Sequence, residues 1–195
     1  MSRTCDRPQV EDSIDFLIIA AGGPLRLGRL VNLLYIADRE CIKAHCWSFC
    51  DDTFAGTGLR AYGVGARRVA VARAGRTGFA DLTPRAAREG TEALETLSIA
   101  LSNVLMAAHE RCEHLGDDEL ELMLRDFEIF PEAHFPGVFP NAEFARLIGM
   151  RDPQGVAAAM EESKALRLFW SDLDRAAPCP KQAFGGIVDH GNERQ

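Results

Sequence analysis

The sequence predicts a mainly α-helical domain with a small β-hairpin or sheet insertion around residues 53–82. Two observations predict it. Apolar residues recur at a helical period over residues 8–45 and again over 87–170. Between these regions, glycines recur and short apolar runs alternate with polar residues. We expect one helical domain over residues 1–173 and a flexible C-terminal tail over 174–195, where Pro and Gly replace large apolar side chains.

The elements follow from local signals. Pro8 opens a first helix, and the Gly22-Gly23-Pro24 run ends it, because glycine accepts a left-handed cap and proline cannot continue a helix. A second helix then runs from Leu27 to His45, with Lys43 and His45 where the helix dipole favours positive charge.

The middle of the chain predicts strands and then a long helix. Residues 68–73 and 79–82 are expected to pair as a hairpin around the 75–78 turn, with a further strand within 53–62. Thr83-Pro84 is expected to start a helix that ends at Gly116. Its apolar period is close to 3.5, which favours core packing and leaves a homodimer seam as the alternative.

Acidic or proline-containing starts predict the remaining helices. Asp117, Asp118 and Glu119 suit a helix N-terminus, and Asp152-Pro153 predicts a further start. A short helix is expected to begin at Asn141 and to end at Gly149.

Composition and charge narrow the class of partner. The chain has 195 residues, of which 47% are hydrophobic and 26% charged, as in ordinary globular proteins. Twenty-two basic against 29 acidic side chains give a net charge of −7. Such a charge repels phosphate backbones at long range, so it favours a protein partner over nucleic acid.

Cysteine usage and hydropathy predict a cytoplasmic protein without membrane spans or cofactors. No window approaches the roughly 18 apolar residues of a membrane helix. The six cysteines are scattered within apolar stretches, as is typical of reduced thiols. Cys41, His45, Cys46 and Cys50 lack a C-x-x-C pair, so structural cysteines are favoured over a zinc site, and no metal is predicted.

The second helix carries an unusual charge. Asp38 lies on its apolar stripe, between Leu34 and Ile42, with Arg39 and Glu40 beside it. A carboxylate on an apolar face needs donors or a positive partner, because unpaired burial costs several kcal/mol. Asp38 is therefore expected to be either a structural acceptor within the fold or a polar recognition point on an apolar surface.

These residues carry a family resemblance. Leu33–Glu40 (L-L-Y-I-A-D-R-E), His45 and Asp51–Phe54 (D-D-T-F) resemble the opening of the Panacea domain, the family of SocA-like antitoxins. Members begin with an apolar helix of the type L-L-Y-x-A-D-R-E, followed by a short loop and a G-D-x-F/Y step into a small strand. Here Cys46 and Cys50 stand where the family has glycine or turn residues.

The resemblance implies an interaction protein without catalytic residues, one that binds and neutralises a cognate toxin. It further implies presentation of that toxin to an AAA+ protease. Within the matched helix, Tyr35, Asp38, Arg39 and Glu40 are the expected partner-facing or partner-shaping residues.

Three other functions stay open. Residues 141–170 resemble a helix-turn-helix DNA-binding regulator, although the second helix offers acidic Glu161 and Glu162 to DNA. Arg60–Ala66 fits the R-x-x-G-x-G-A pattern of GNAT-type acetyltransferases, whose glycines admit the pyrophosphate of acetyl-CoA. The acidic run from Asp117 to Glu128 suits a phage-encoded inhibitor that mimics nucleic acid and blocks a host defence protein complex.

Overall fold

The fold is built mainly from α-helices, with five short strands among the described residues. The computed structural model describes residues 7–50, 54–56, 61–75, 81–85, 97–125 and 137–176. In chain order the elements are α1 (Arg7–Ala20), β1 (Leu25–Arg26), α2 (Leu27–His45), β2 (Phe54–Gly56), β3 (Ala61–Gly63), α3 (Val64–Ala74), β4 (Asp81–Leu82), α4 (Ile99–Cys112), α5 (Asp117–Arg125), β5 (Gly137–Phe139), α6 (Asn141–Leu147) and α7 (Pro153–Ala176). The predicted mainly helical class with minor β structure is confirmed.

The predicted end of α1 is also confirmed. Gly22 has a φ of 70°, and its N–H donates to the Ile19 carbonyl at 2.9 Å. The Gly23 N–H donates to the Ile18 carbonyl at 3.3 Å. This pair of bonds is a Schellman cap, which satisfies carbonyls that the helix end would leave unpaired.

Helix α2 lies at the centre of the described residues. Residues 30–39, Cys41 and Ile42 are all buried, so the helix is covered on nearly every side. It packs against α1, α3, α4 and α5 and against strands β1 and β3. A helix buried on nearly every side belongs to a protein core, and the surrounding elements pack on it.

Two small antiparallel sheets connect this helix to the rest. Strand β1 pairs with β4, and the second sheet has the order β3-β2-β5. In the second sheet Phe54 faces Gly63 on one side and Phe139 on the other. The ring of Phe54 stacks on Phe144 of α6, with centroids 3.8 Å apart and planes 3° apart. This stacking holds the sheet and α6 on one side of α2.

A buried ion network joins α1 to α3 and to the segment after β4. Asp15 of α1 is 1% exposed and accepts hydrogen bonds from Arg73 of α3 and from Nε of Arg85 at 2.6 Å. Arg85 also donates to Asp12 at 2.6 Å and to Glu11 at 2.8 Å. Partial burial disfavours the Arg85 charge, but the bonds to Asp12 and Asp15 outweigh it, so the pKa of Arg85 is raised.

The predicted hairpin of residues 68–73 with 79–82 is wrong. Residues 64–74 form helix α3, and the hairpin of this region lies earlier, between β2 and β3. The apolar Val-Ala-Val-Ala run between Arg68 and Arg73 suits a strand, but residues 64–74 are rich in alanine and arginine, which favour helix. Buried Gly65, Ala66, Val69 and Ala70 fall on one helical face, so packing selects the helix.

The predicted helix start at Thr83-Pro84 is also wrong. Residues 83–85 are not helical, and α4 begins at Ile99 with Ser98 as its cap, whose Oγ accepts from the Leu101 N–H. The Thr83 carbonyl instead accepts from Arg73 at 2.5 Å, and the Arg85 N–H donates to Asp15 at 3.1 Å. These contacts with α1 and α3 hold the segment in a non-helical conformation. The predicted helical residues 86–96 lie outside the described ones.

The C-terminal helix continues past the predicted domain boundary at residue 173. Helix α7 runs to Ala176, and Asp152 caps its start by accepting from the Gly155 N–H at 2.9 Å. The rest of the expected tail, residues 177–195, lies outside the described residues. Within the part of the chain that the structure describes, every helix is too short or too polar to cross a membrane.

Replacing Asp15 by alanine should destabilise the fold strongly. The change leaves two partly buried arginines without their shared carboxylate, and removal of one partner of a buried pair costs roughly 3 to 5 kcal/mol. Urea unfolding followed by circular dichroism measures the loss. Glu162→Ala, at an exposed position of α7, is the control and should change the unfolding free energy by less than about 0.5 kcal/mol. Equal stability of the two variants would show that the network contributes nothing.

Candidate protein-binding site

Asp38 is a buried structural acceptor. It is 2% exposed, and its carboxylate accepts from the Ser48 hydroxyl at 2.8 Å and from the Phe49 N–H at 2.9 Å. The chain reaches these positions because Cys46, with a φ of 55°, ends α2 in the left-handed conformation. The carboxylate therefore ties the segment that leaves α2 back onto the helix.

Tyr35 is also inside the molecule. It is 3% exposed, and its ring meets Phe54 and Phe144 edge-on at centroid distances of 6.4 and 6.3 Å. Edge-to-face contacts of this kind stabilise aromatic clusters beyond simple area burial. Tyr35 thus supports the sheet and α6 from the side of α2.

Arg39 and Glu40 form an ion pair at the boundary between the core and the surface. Arg39 is 8% exposed and donates to Oε1 of Glu40, whose side chain is 36% exposed. Arg111 of α4 lies 3.8 Å from the same oxygen. Glu40 is therefore held between two guanidinium groups, at the edge of α2.

Glu40 lines a surface groove between α2 and α4, here called the α2–α4 groove. Its cavity volume is about 510 Å³. The floor is aliphatic and mostly of small side chains: Ile36, Ala44, Ala100, Val104, Ala107 and Ala108. The polar lining consists of Glu40, His45, Asn103 and Arg111. An apolar floor with a few polar groups is the usual composition of a binding site.

The four residues expected at the partner site are therefore divided. Tyr35, Asp38 and Arg39 are buried, which leaves them a shaping role, whereas Glu40 is available for direct contact. Their part in partner binding stays a prediction. The sequence predicts a core or dimer seam for the small side chains of α4, so it does not indicate the α4 side of the groove.

Cysteines 41, 46, 50 and 112 are free thiols. Among the described residues, no three or more His, Cys, Asp or Glu side chains are placed to hold a metal ion. Cys41, Cys50 and Cys112 are buried, and burial raises the pKa of Cys112 against the opposing charges of Arg111 and Arg29. These three pack as small apolar side chains.

The acetyl-CoA-binding pattern lies at the start of α3. A strand, β3, precedes the helix, and Gly63 is its N-cap. The acetyl-CoA-binding pattern needs a helix that starts at its glycines. The sequence predicts a strand there, but the structure has helix α3, so this part of the pattern is present. However, Gly63, Gly65 and Ala66 are buried, whereas a pyrophosphate needs backbone N–H groups at an open surface. Arg60 lies outside the described residues.

The two remaining alternatives rest on α5, α6 and α7. Helices α6 and α7 pack against each other, and α7 exposes Gln154, Glu161 and Glu162. On α5, Asp117 is paired with Arg29 at 3.2 Å, and Glu119 accepts from the Gly116 N–H at 2.7 Å. Much of that acidic charge thus serves helix capping and pairing. Residues 126–128 lie outside the described ones.

Asp38→Ala should lower the free energy of unfolding by roughly 2 to 4 kcal/mol, because it leaves the Ser48 hydroxyl and the Phe49 N–H without an acceptor. Asp38→Asn keeps one carbonyl oxygen and should lose less. Urea denaturation of both variants, compared with Ser48→Ala, measures the difference. An Asp38→Ala protein as stable as wild type would contradict the structural role.

Iodoacetamide should label Cys46 at least about tenfold faster than Cys112 in the folded protein, because the thiolate is the reactive form. Cys46 is partly exposed, whereas Cys112 is buried with a raised pKa. Mass spectrometry of digests taken over time measures both rates. In urea the two rates should converge, and equal rates in the native protein would contradict the prediction.

Comparison of the chain with known protein families, with curated proteins and with solved structures found no match.

Proposed function

We propose that this chain is a Panacea-like antitoxin, a protein-binding module that neutralises a cognate toxin held in the α2–α4 groove. The observation that carries the proposal is the position of Glu40. It belongs to the L-L-Y-x-A-D-R-E motif, it is partly exposed, and it lines a groove with an apolar floor. The motif and the groove thus share two residues, Glu40 and Ile36, which stands at the variable position of the motif.

The groove favours a helical segment of the partner. It runs between two helices, and its floor is made of small side chains that let another backbone approach closely. An amphipathic helix laid in the groove would place its apolar side chains against Ala44 of α2 and against Ala100, Val104 and Ala107 of α4.

The charges of the groove and of the whole chain also indicate what kind of partner would bind. Glu40 lies between Arg39 and Arg111, and a carboxylate has further lone pairs with which to accept a hydrogen bond at the groove edge. The chain as a whole carries a net charge of −7. A basic partner is favoured, because opposite net charges speed association.

The proposal extends to the cellular setting that the resemblance implies. The antitoxin acts in the cytoplasm, and it presents the bound toxin to an AAA+ protease. Neither step needs a catalytic residue in this chain.

Co-expression with the toxic product of an adjacent small open reading frame tests the proposal. The wild-type chain should restore growth. Ala107→Phe should abolish rescue and weaken binding at least about tenfold, because a large ring fills the groove floor. Position 107 is exposed, so the fold should survive, and circular dichroism checks this.

The matched control is Ala158→Phe, which places the same ring at an exposed position of α7, outside the groove lining. It should rescue growth as wild type does. Toxicity that the wild-type chain fails to relieve would remove the antitoxin proposal, and full rescue by Ala107→Phe would remove the groove as its site.

A further inference from the structure

A second pocket lies at the other end of α2, between α2, α3, β4 and α5, and is here called the α2–α3–α5 pocket. Its cavity volume is about 650 Å³, within the range of small-molecule sites. Leu27, Val31 and Val71 provide apolar lining. Gly28 also lines it, and a Cβ atom at Gly28 would meet no other atom within 4 Å. The pocket is therefore open down to the α2 backbone.

Two of its charged groups already serve the fold. Arg29 donates to the Leu115 carbonyl at 2.8 Å, to the Cys112 carbonyl at 2.7 Å and to Asp117 at 3.2 Å. It thereby holds the end of α4 and the start of α5 against α2. The charges of Arg29 and Asp117 compensate each other. A ligand in the pocket would therefore be recognised mainly by other residues.

The rim carries exposed charges of both signs. Arg26 has a side chain that is 76% exposed and lies 3.5 Å from Asp117, and Arg67 is exposed on α3. Asp81 and Asp118 are exposed carboxylates. Among the described residues, neither Asp81 nor Asp118 has a side-chain hydrogen bond or ion pair.

A ligand with one sign of charge would meet attraction from part of this rim and repulsion from the rest. A ligand with both signs can place each group against its opposite, while an apolar body covers the aliphatic lining. We propose that the α2–α3–α5 pocket binds a small zwitterion with an apolar side chain, of the free amino-acid class. Its carboxylate pairs with Arg26 and Arg67, and its ammonium group pairs with Asp81 and Asp118.

Calorimetric titration of the full chain with L-leucine tests this. Leucinamide keeps the ammonium group but lacks the carboxylate, and N-acetyl-leucine keeps the carboxylate but lacks the ammonium group. Leucine should bind at least about tenfold more tightly than either analogue, because each charge-assisted contact contributes separately. The titration contains no toxin, so its result does not depend on the proposed antitoxin function.

Single substitutions separate the two ends of the ligand. Asp118→Asn should weaken leucine binding about tenfold and leave N-acetyl-leucine binding unchanged. Arg67→Gln should weaken leucine and N-acetyl-leucine and leave leucinamide unchanged. Both positions are exposed, and circular dichroism of each variant checks that the fold is kept.

Gly28→Leu fills the pocket directly and should abolish leucine binding. Leucine is a better helix former than glycine, so the variant should fold at least as stably as wild type. Ala158→Leu, on the exposed surface of α7, is the matched control and should bind leucine normally. Leucine binding no tighter than about 1 mM, equal affinity for the analogues, or binding retained by Gly28→Leu would each overturn the proposal.

Discussion

The burial of α2 is the constraint on which the described structure depends. A helix covered on nearly every side cannot leave its polar groups to water, so Asp38 must find its donors inside the protein. It finds them in Ser48 and Phe49, ten and eleven residues further along the chain. The chain must therefore turn back immediately after α2, which it does through the left-handed Cys46.

The same burial explains why the two ends of α2 present different surfaces. At the start of α2, Arg29 bonds to the end of α4 and to the start of α5. Charged residues of β4 and α5 surround the open backbone at Gly28. Towards its end, α2 runs beside the small side chains of α4, so the groove between them has an aliphatic floor with polar groups beside it. One surface suits a small charged molecule, and the other suits an apolar segment of a protein.

Ion pairs supplement apolar packing in this fold. Apolar contacts hold α2 in place, whereas a carboxylate cluster on α1 with Arg73 and Arg85 holds the outer elements to one another. Such a cluster must be complete, because a buried charge that loses its partner costs far more than the pair contributes. Asp15 is the residue that both arginines share.

The helical class, the course of α1 and α2 and the caps at Gly22 and Asp152 were determined by the sequence alone. Each depends on residues within one or two helical turns, where propensity and periodicity act directly. Only the tertiary structure decided that residues 64–74 are a helix, because local signals for strand and helix compete there and packing selects the helix. It also decided that residues 83–85 are not helical, because the bond from the Arg85 N–H to Asp15 of α1 overrides the local helix-start signal. It also decided which motif residues reach the surface. Burial of Asp38 and exposure of Glu40 depend on which elements cover each face of α2, and a pattern of eight residues cannot encode that.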